Sequence, residues 1–477
     1  MSTILVLGAS GYIGSHLVPR LVAAGHRVRA ASRHREVLEA RGWAGVEIIQ
    51  ADALSAASLD LALAGIEVAY YLVHSMASGS DYAERDRRAA LKFREAAARA
   101  GVRRIVFLGG LQPTTKASKH LASRAETGEV LRGGTVPVTE LRAGIIVGPG
   151  SAAFEVIRDL VNHLPVMIAP RWVRSRTQPI SLDDLLAYLE GVITIEEAAG
   201  EIYDVGGAET LTYQQLMKQY AQEMRRRLLV IPVPVLTPRL SSYWLDLVTA
   251  VPTSIARPLV EGLTLDLIAD DRAIRALLPI SLHGYREAVV AAIEAERTAT
   301  LSGHWAEAAL PYPGFADDAS FFSKHERADA VALVAVDQLW DEVTRIGGDN
   351  GWYAYPLLWQ LRGALDRLFG GPGMRRRRRH PTELRVGDVI DFWRVVKITP
   401  GRQLTLMAEM KLPGRAILEF QLESLDSQRS KLNIEARFHP AGTPGLLYWY
   451  ALIPFHSRIF KGITHSLVAR AEAIARC

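Results

Sequence analysis

The stretch of sequence that decides the fold is Gly8-Ala9-Ser10-Gly11-Tyr12-Ile13-Gly14, directly after the apolar run Ile4 to Leu7. A buried strand that ends in glycines and leads into an amphipathic segment is the strand–turn–helix unit that binds phosphate. Gly8 permits the tight turn, Gly11 lets the backbone approach a pyrophosphate, and Gly14 lets the helix pack closely on the strand. The alternative is a glycine turn without a ligand. We favour a dinucleotide site, with contacts from Gly8, Ser10, Gly11, Tyr12, Ile13 and Gly14.

Strand-like and helical patterns alternate after this turn. The clearest helical patterns are Tyr82–Arg99 and Ser118–Leu131. The strand-like runs are Ile4–Leu7, Arg27–Ala31, Val46–Ala51, Val68–Val73, Arg104–Leu108 and Val138–Leu141. This alternation predicts an α/β fold with a Rossmann-like, doubly wound parallel sheet that is covered on both faces. A ligand is then expected at the carboxyl ends of the strands, where the strand order reverses.

The pattern is less regular over residues 150–298, which we expect to form a cap over the cofactor. The elements expected there are a helix at Leu182–Val192, a strand at Ile202–Val205 and a helix at Tyr213–Met224. Residues 1–298 are therefore assigned to the dinucleotide-binding unit. Residues 299–325 carry Gly, Pro and Asp without periodicity and are predicted to be a linker.

Residues 326–477 have a different pattern, in which strands follow one another at hairpin spacing. A strand at Ala328–Val336 is expected to lead into a helix that contains Leu339 and Ile346. Further strands are predicted at Val389–Ile398, Leu404–Met410, Ala416–Leu422 and Leu432–Phe438, before a helix over Leu446 to Ile474. The pattern predicts an α+β domain whose antiparallel sheet wraps the terminal helix.

Composition limits the class of protein. A chain of 477 residues with 49% hydrophobic and 22% charged residues is typical of a soluble globular protein of two or three domains. We expect no signal peptide ahead of the first strand, and no apolar run is long enough to span a membrane. The single cysteine, Cys477, excludes an intramolecular disulfide, so we expect a cytoplasmic location. The 13 histidines lack ligand spacing, and we predict no metal site.

Charge gives little indication of a macromolecular partner. The net charge is +5, and Arg375–Arg379 form a run of five arginines. Such a run can contact nucleic acid or an anionic membrane surface. We favour a solvated loop next to Gly370–Gly373, and predict no nucleic-acid partner and no transmembrane segment, while a peripheral membrane contact stays open.

The end of the second strand bears on the choice of cofactor. Enzymes that prefer NAD place an acid there to hold the ribose 2′-hydroxyl. This chain has Ser32 and Arg33, with no acid until Glu36. Because a guanidinium can pair with a 2′-phosphate, we predict NADP(H) over NAD(H). The alternative is that Arg33 merely caps a solvent-facing helix start.

Three further residues follow the third and fourth strands. Asp52 can accept a hydrogen bond from the adenine amino group, or it can be the N-terminal residue of a helix. Val73 and His74 leave the fourth strand toward the cleft and are predicted to border the ribose near the nicotinamide. For His74 we favour a hydrogen-bonded structural histidine.

These residues resemble the short-chain dehydrogenase/reductase superfamily, in its extended or atypical NmrA-like branch. The spacing of Gly8, Gly11 and Gly14 carries the resemblance, together with Leu141–Pro149 and the stretch from Asp271 to Ala288. The whole chain resembles proteins that fuse such a unit to a C-terminal START-like (helix-grip) domain. In that tail, Leu339-Trp340-Asp341-Glu342-Val343 is similar to the first helix of the helix-grip fold.

The resemblance also defines where this chain departs from catalytic members, which use a Ser after the fifth strand and a Tyr-x-x-x-Lys on the next helix. Here the strand ends Gly109-Gly110, and the helix carries His120 and Arg124 at the same spacing. An imidazole can transfer protons near neutral pH, and Arg124 can hold ribose hydroxyls. His120 and Arg124 are therefore the candidate catalytic residues.

Three functions are compatible with the sequence. The first is an NADPH-dependent oxidoreductase that reduces an apolar carbonyl or quinone-like compound, with His120 or solvent as the proton source. The second is a non-catalytic NADP(H)-responsive binding protein. The third is a carrier of an apolar ligand, in which Phe392, Trp393, Phe420 and Tyr448-Trp449-Tyr450 line a pocket. The alternative, which we favour for these aromatic residues, is a plain core. The sequence leaves the substrate and the oligomeric state open.

Overall fold

The computed structural model describes residues 1–39, 41–74, 82–113, 117–233, 262, 264–297, 323–368, 384–385 and 388–475. The chain divides into two compact units, Met1–Asp317 and Asp318–Cys477. Most of the predicted linker 299–325, the run Arg375–Arg379 and Cys477 lie outside the described residues.

The N-terminal unit is built on a seven-stranded parallel sheet. The strands of this unit are β1 (Thr3–Leu7), β2 (Arg27–Ser32), β3 (Glu47–Gln50), β4 (Val68–Tyr71), β5 (Arg104–Gly110), β6 (Val138–Ala143), β7 (Ile146–Val147), β8 (Val166–Pro170), β9 (Arg176–Thr177), β10 (Ile180–Ser181), β11 (Ile202–Val205), β12 (Leu211–Thr212) and β13 (Leu229–Val233). The large sheet has the order β11-β6-β5-β4-β1-β2-β3, and every pairing in it is parallel. The predicted parallel α/β sheet is thus confirmed. Its strand order reverses between β1 and β4, which opens a crevice at their carboxyl ends.

Helices cover both faces of this sheet. They are α1 (Tyr12–Ala23), α2 (Arg35–Glu39), α3 (Ala56–Leu63), α4 (Tyr82–Arg99), α5 (Lys119–Arg132), α6 (Ala152–His163), α7 (Leu182–Gly191), α8 (Tyr213–Glu223), α9 (Arg272–Leu277) and α10 (Tyr285–Arg297). Alternate residues of β1 enter different cores: Ile4 and Val6 pack with α1 and α7, whereas Leu5 and Leu7 pack with α3 and α4. A strand buried on both faces explains why the run Ile4–Leu7 is continuously apolar.

Short paired strands carry the chain beyond the large sheet. β7 pairs with β10 and β8 with β13, both in parallel, and β9 pairs with β12 in antiparallel fashion. Short 3₁₀ turns lie at Arg171–Arg174, Val192–Thr194 and Glu196–Ala198. The predicted strand Ile202–Val205 is observed with the same bounds, and the helices predicted at Leu182–Val192 and Tyr213–Met224 each end one residue earlier.

The described residues of the C-terminal unit form a six-stranded antiparallel sheet and three helices. Its elements are β14 (Lys324–Ala332), α11 (Val336–Thr344), a 3₁₀ turn (Gly348–Asn350), α12 (Pro356–Leu368), β15 (Val389–Ile390), β16 (Trp393–Thr399), β17 (Gln403–Ala408), β18 (Gly414–Ser424), β19 (Ser430–Pro440) and α13 (Gly442–Ala475). The sheet order is β14-β19-β18-β17-β16-β15. Its core includes Leu418 and Ile434 from the sheet and Ile463 and Leu467 from α13.

Two predicted strands of this unit are wrong in their bounds. The strand predicted at Ala328–Val336 begins at Lys324 and ends at Ala332, because its register on β19 runs from Lys324 opposite Phe438 to Ala332 opposite Ser430. The strand predicted at Val389–Ile398 is divided at Asp391, whose φ is +54°. The Asp391 carboxylate accepts a hydrogen bond from Trp352 Nε1 at 2.8 Å, which holds this turn in place.

Within the described parts of both units, no helix combines the length and apolar character needed to cross a lipid bilayer.

Candidate functional site

The glycine turn between β1 and α1 leaves no space for side chains. Gly8 has φ +93°, and a Cβ there would lie 2.9 Å from the carbonyl carbon and oxygen of Leu72. A Cβ on Gly14 would lie 2.4 Å from the carbonyl oxygen of Gly8, so only glycine lets α1 approach β1 this closely. Gly11 is the N-cap of α1 and gives no side-chain cap. The first amides of α1 therefore lack intrahelical acceptors and can bind an anion.

All the candidate residues line two cavities beside this turn. One cavity, of about 440 Å³, is lined by Gly8, Gly11, Tyr12, Ile13, Gly14, His74, His120 and Arg124, among others. The other, of about 180 Å³, is lined by Gly8, Ser10, Gly11, Ser32, Arg33, Asp52, Val73 and His74, among others. The structure thus brings together residues from the ends of four strands and from α5. Their contact with a cofactor stays a prediction.

The smaller cavity has a basic side. Ser32 Oγ donates to Ser10 Oγ at 3.0 Å, which ties the end of β2 to the glycine turn. Arg33 is exposed and lines the cavity, and Arg85 from α4 lines it as well. The sequence analysis missed Arg85, since only the fold brings α4 next to β2. These guanidiniums are suited to an anionic group.

Asp52 lies in this cavity but does not cap the following helix. Ser55 is the N-cap of α3, where its side chain accepts from the amide of Ser58. Asp52 Oδ1 instead accepts from the amide of Leu54 at 2.9 Å. The carboxylate stands at the cavity wall before the helix begins, in a position from which it can accept from a ligand.

The larger cavity holds a chain of three titratable side chains. His74 Nδ1 lies 2.8 Å from Asp86 Oδ2, and His74 Nε2 lies 3.2 Å from His120 Nδ1. Asp86 is on α4 and is only 2% exposed. Because the ionised Asp86 carboxylate can only accept a hydrogen bond, His74 donates to it through Nδ1–H. The other ring nitrogen of His74, Nε2, faces His120. His74 is therefore hydrogen-bonded on both sides, as a structural histidine would be, and is also linked to the candidate catalytic residue.

Burial controls the charge of these imidazoles. Burial lowers the pKa of His120 to about 3, and the positive charges of His74 and Arg124 act in the same direction. Burial also lowers the pKa of His74, and the hydrogen bond that His74 donates to Asp86 opposes this shift. Both imidazoles are consequently neutral at pH 7. Either imidazole can accept a proton, and the resulting imidazolium gives it up readily because its pKa is lowered.

Arg124 supplies a permanent positive charge to the same cavity. Its guanidinium lies 4.9 Å from the centroid of the Phe107 ring. Burial lowers the pKa of Arg124 to about 10, so the side chain stays cationic at neutral pH. It can hold an anion or hydroxyl groups but cannot exchange protons there.

The expected serine position is occupied by glycine and is tightly packed. A Cβ on Gly109 would lie 3.0 Å from Glu140 Oε1, and one on Gly110 would lie 3.3 Å from Leu121 Cδ2. Glu140 is 1% exposed and is held between Arg132 and Arg142. The two glycines at the end of β5 therefore accommodate a buried ion-pair cluster.

Comparison with known proteins agrees with this geometry. Residues 8–135 match the family model described as NAD(P)H-binding. The N-terminal unit has an NAD(P)-binding Rossmann fold. Residues 323–463 match a family described as a protein of unknown function (DUF2867). No curated protein matches the sequence.

Solved structures that resemble the Rossmann unit include a quinone reductase and a dye reductase. The NADPH-dependent quinone oxidoreductase QOR2 of Escherichia coli, complexed with NADPH, is 20% identical with a TM-score of 0.51, over 60% of this chain and 99% of that chain. The triphenylmethane reductase of Citrobacter sp., complexed with NADP(H), is 19% identical with a TM-score of 0.51, over 61% and 99%. A nucleoside-diphosphate-sugar epimerase of Staphylococcus aureus is 16% identical with a TM-score of 0.51, over 61% and 99%. At these identities the likeness establishes the fold alone.

Sequence reasoning missed Asp86, which completes the histidine chain of the Rossmann unit. A signal was present, because Asp86 lies on the apolar face of α4 with Ala89, Ala90 and Phe93. An acid at that spacing on a buried face requires a polar partner.

Among the residues that the structure describes, no group of three or more His, Cys, Asp or Glu side chains could hold a metal ion.

The aromatic residues proposed to line a C-terminal pocket separate into two groups. Trp393, Tyr448 and Trp449 line a cavity of about 270 Å³ within the C-terminal unit. Phe392 and Phe420 are fully buried in the core. Tyr450 instead lies beneath the ammonium group of Lys324, at 5.6 Å.

Proposed function

We propose that this protein is an NADPH-dependent reductase of an apolar carbonyl or quinone-like compound. The observation that carries the proposal is the larger cavity, where the glycine turn, the histidine chain and Arg124 face one space. The glycine turn fits a dinucleotide, since Gly8 and Gly14 let α1 begin close to β1 and Gly11 leaves the first amides of α1 without a side-chain cap. NADPH or NADP(H) is bound in the E. coli quinone oxidoreductase and the Citrobacter dye reductase of similar fold.

The basic side of the smaller cavity supports NADP(H) over NAD(H). Arg33 and Arg85 can pair with a 2′-phosphate, while Asp52 is the acidic residue among the described residues of that lining. Asp52 follows β3 rather than β2, so it is not at the position that holds a ribose 2′-hydroxyl in NAD enzymes.

The character of the substrate follows from the far wall of the larger cavity. Leu111, Leu121, Ile145 and Leu267 line it together with the histidine chain. An apolar wall with few polar groups favours a hydrophobic acceptor whose oxygen meets the imidazole.

When bound, NADPH would supply the hydride, and the chain would supply the proton. When both imidazoles are neutral, His74 Nδ1–H donates to Asp86 and His120 Nδ1–H donates to His74 Nε2. The Nε2 atom of His120 then carries no proton. When Nε2 takes up a proton, His120 becomes the acid that protonates the substrate oxygen. Asp86 stabilises the positive charge that the pair carries in this state, because its hydrogen bond to His74 favours the protonated imidazole. Arg124 holds hydroxyl groups or a developing negative charge.

NADPH oxidation with a panel of carbonyls and quinones tests the proposal. We expect turnover with hydrophobic members of the panel and none with NADPH alone. A protein that binds NADPH but oxidises it with no member above background would not be this reductase.

A non-catalytic NADP(H)-responsive protein is the second candidate function. It is supported by Gly109 and Gly110, which provide no hydroxyl at the end of β5 and pack tightly against Glu140 and Leu121. Cofactor binding without turnover, together with a partner whose capture differs between NADP and NADPH, would favour this function.

For the C-terminal unit we propose a START-like helix-grip fold. The six-stranded antiparallel sheet supports this assignment, as does the long helix α13, which packs on β14 and β19.

A further inference from the structure

The strands β8 and β13 form a two-stranded parallel ribbon that is separate from the large sheet of the N-terminal unit. Side chains alternate between the two faces of such a ribbon. On one face Met167, Ala169 and Val230 are buried. The opposite face is exposed, although its residues are large and apolar, and it consists of Val166, Ile168, Leu229 and Ile231. One face of the ribbon is therefore packed on the unit, and the other is in contact with solvent.

The four exposed side chains form one continuous surface, which we call the ribbon patch. The register places Leu229 opposite Val166 and Ile231 opposite Ile168. Because neighbouring strands lie about 4.8 Å apart, the members of each pair are adjacent. Their exposed fractions range from 42% to 57%. Single exposed apolar residues are common on soluble proteins, whereas an apolar patch with polar residues at its rim marks an interaction surface.

The charges next to the ribbon patch have one sign. Residues 164–176 and 225–233 contain the two strands and their flanks, and they include no aspartate or glutamate. Their arginines are Arg171, Arg174, Arg176 and Arg225–Arg227. Arg225 is exposed, and exposure alternates through Arg227, Leu229 and Ile231, so Arg227 continues the exposed face ahead of β13. Arg174 is exposed in the 3₁₀ turn that follows β8. Cations therefore lie at both ends of the ribbon.

This combination of charge and apolar surface fits an anionic lipid surface better than a second copy of the chain. Aliphatic side chains can enter the boundary between head groups and acyl chains, while nearby arginines are attracted to negatively charged lipids. In a symmetric dimer through the same face, the arginines of the two copies would approach each other, and the ribbon has no acid to offset their repulsion. The net charge of +5 adds to the attraction toward an anionic surface.

We propose that the ribbon patch docks this protein on an anionic membrane surface. Ile168 and Ile231 enter the lipid boundary, and Arg225 and Arg227 contact the lipid phosphate groups. This inference does not rest on the proposed reductase function, because the ribbon patch lines neither of the two cavities beside the glycine turn.

Co-sedimentation of the full chain with lipid vesicles tests the proposal. We expect binding to vesicles of phosphatidylglycerol mixed with phosphatidylcholine, and at least about tenfold weaker binding to phosphatidylcholine alone, since each arginine near an anionic surface strengthens binding roughly fivefold. Arg225→Gln combined with Arg227→Gln should weaken binding to the anionic vesicles by about tenfold or more. Arg27→Gln combined with Arg103→Gln is the matched control. It removes the same charge from two exposed arginines at the starts of β2 and β5, and should leave binding within about twofold.

A second pair of substitutions tests the apolar part of the ribbon patch. Ile168→Gln combined with Ile231→Gln removes aliphatic surface without adding charge, and should weaken binding to the anionic vesicles at least about tenfold. Leu61→Gln is the control, because Leu61 on α3 is 69% exposed and lies outside the ribbon. Circular dichroism and the unfolding temperature show that each variant is folded.

Sedimentation velocity without vesicles separates membrane docking from self-association. The proposal is overturned if the protein does not bind the anionic vesicles, if it binds phosphatidylcholine vesicles equally well, or if either double variant binds like its control. It is also overturned if the protein is a dimer that Ile168→Gln combined with Ile231→Gln converts to a monomer, since the ribbon patch would then be an interface between two copies.

Discussion

At Gly14 the backbone of the neighbouring strand leaves no room for a methyl group. A Cβ there would lie 2.4 Å from the carbonyl oxygen of Gly8, and a backbone atom cannot move aside as a flexible side chain can. The glycine is thus required by the distance between α1 and β1.

Gly14→Ala is expected to destabilise the protein by roughly 1–3 kcal/mol and to weaken NADPH binding at least tenfold, because α1 must shift away from the turn. Thermal unfolding and NADPH titration measure the two effects. Gly284→Ala is the control, since its Cβ would make an ordinary contact of 3.4 Å with Glu209 Oε2. If the two variants had the same unfolding temperature and the same NADPH affinity, the close approach of α1 to β1 at Gly14 would be contradicted.

Arg33 and Arg85 give a second prediction at the scale of single residues. Arg33→Ala should weaken NADPH binding by about tenfold or more and leave NADH binding unchanged, because a hydrogen bond to a charged group contributes roughly 1.5–3 kcal/mol. Arg85→Ala should act in the same direction. Arg35→Ala is the control, as Arg35 is engaged by Glu39 at 2.7 Å outside the cavity lining. If the substitutions weakened the binding of NADPH and of NADH to the same extent, the arginines would not recognise the 2′-phosphate.

At the scale of elements, the histidine chain depends on three segments that meet. His74 follows β4, Asp86 is on α4 and His120 is on α5. The lowered pKa of both imidazoles means that the protonated pair is rare at neutral pH. The reductive step needs this protonated form.

We therefore expect kcat/KM for reduction to rise continuously as the pH falls below neutrality, without the plateau near pH 6.5 that an ordinary histidine gives. Asp86→Asn removes the carboxylate that raises both pKa values, so activity should fall about tenfold at each pH. Asp60→Asn, at an exposed ion pair with Arg99, is the matched control. If kcat/KM of Asp86→Asn equalled that of Asp60→Asn at every pH, with NADPH affinity intact, the histidine chain would be excluded from proton transfer.

Local patterns were enough to predict the elements that carry the cofactor site. β1, α1 and α4 are specified by a continuous apolar run, by three glycines and by helical periodicity, all of which act within a few residues. The pairing of Asp86 with His74, and the presence of Arg85 in the cavity that Arg33 lines, depend on how the elements pack and cannot be read from neighbouring residues alone. In the C-terminal unit, α12 was not predicted, although Pro356 at its first position is a known helix-start signal.

At the scale of the whole molecule, the two units have separate cores. One set of buried residues extends from Ile4 to Ile274 and another from Ala328 to Ala471. Each core belongs to one unit, so each should respond to its own ligand.

Calorimetry of the full chain is expected to resolve two unfolding transitions. NADPH at about one hundred times its Kd should stabilise one of them by roughly 2.7 kcal/mol and leave the other unchanged. Gly14→Ala should remove the NADPH shift, whereas Gly284→Ala should keep it. A single transition that NADPH moves as a whole would show that the units unfold as one.

The carboxylate of Glu140, fixed between two guanidiniums behind Gly109, has a consequence for protein design. A serine introduced at Gly109 would bring its Cβ to 3.0 Å from Glu140 Oε1, so the carboxylate would have to move by a few tenths of an ångström while it stays paired with Arg132 and Arg142. Engineering a hydroxyl into this position is therefore coupled to the geometry of the ion pairs behind it.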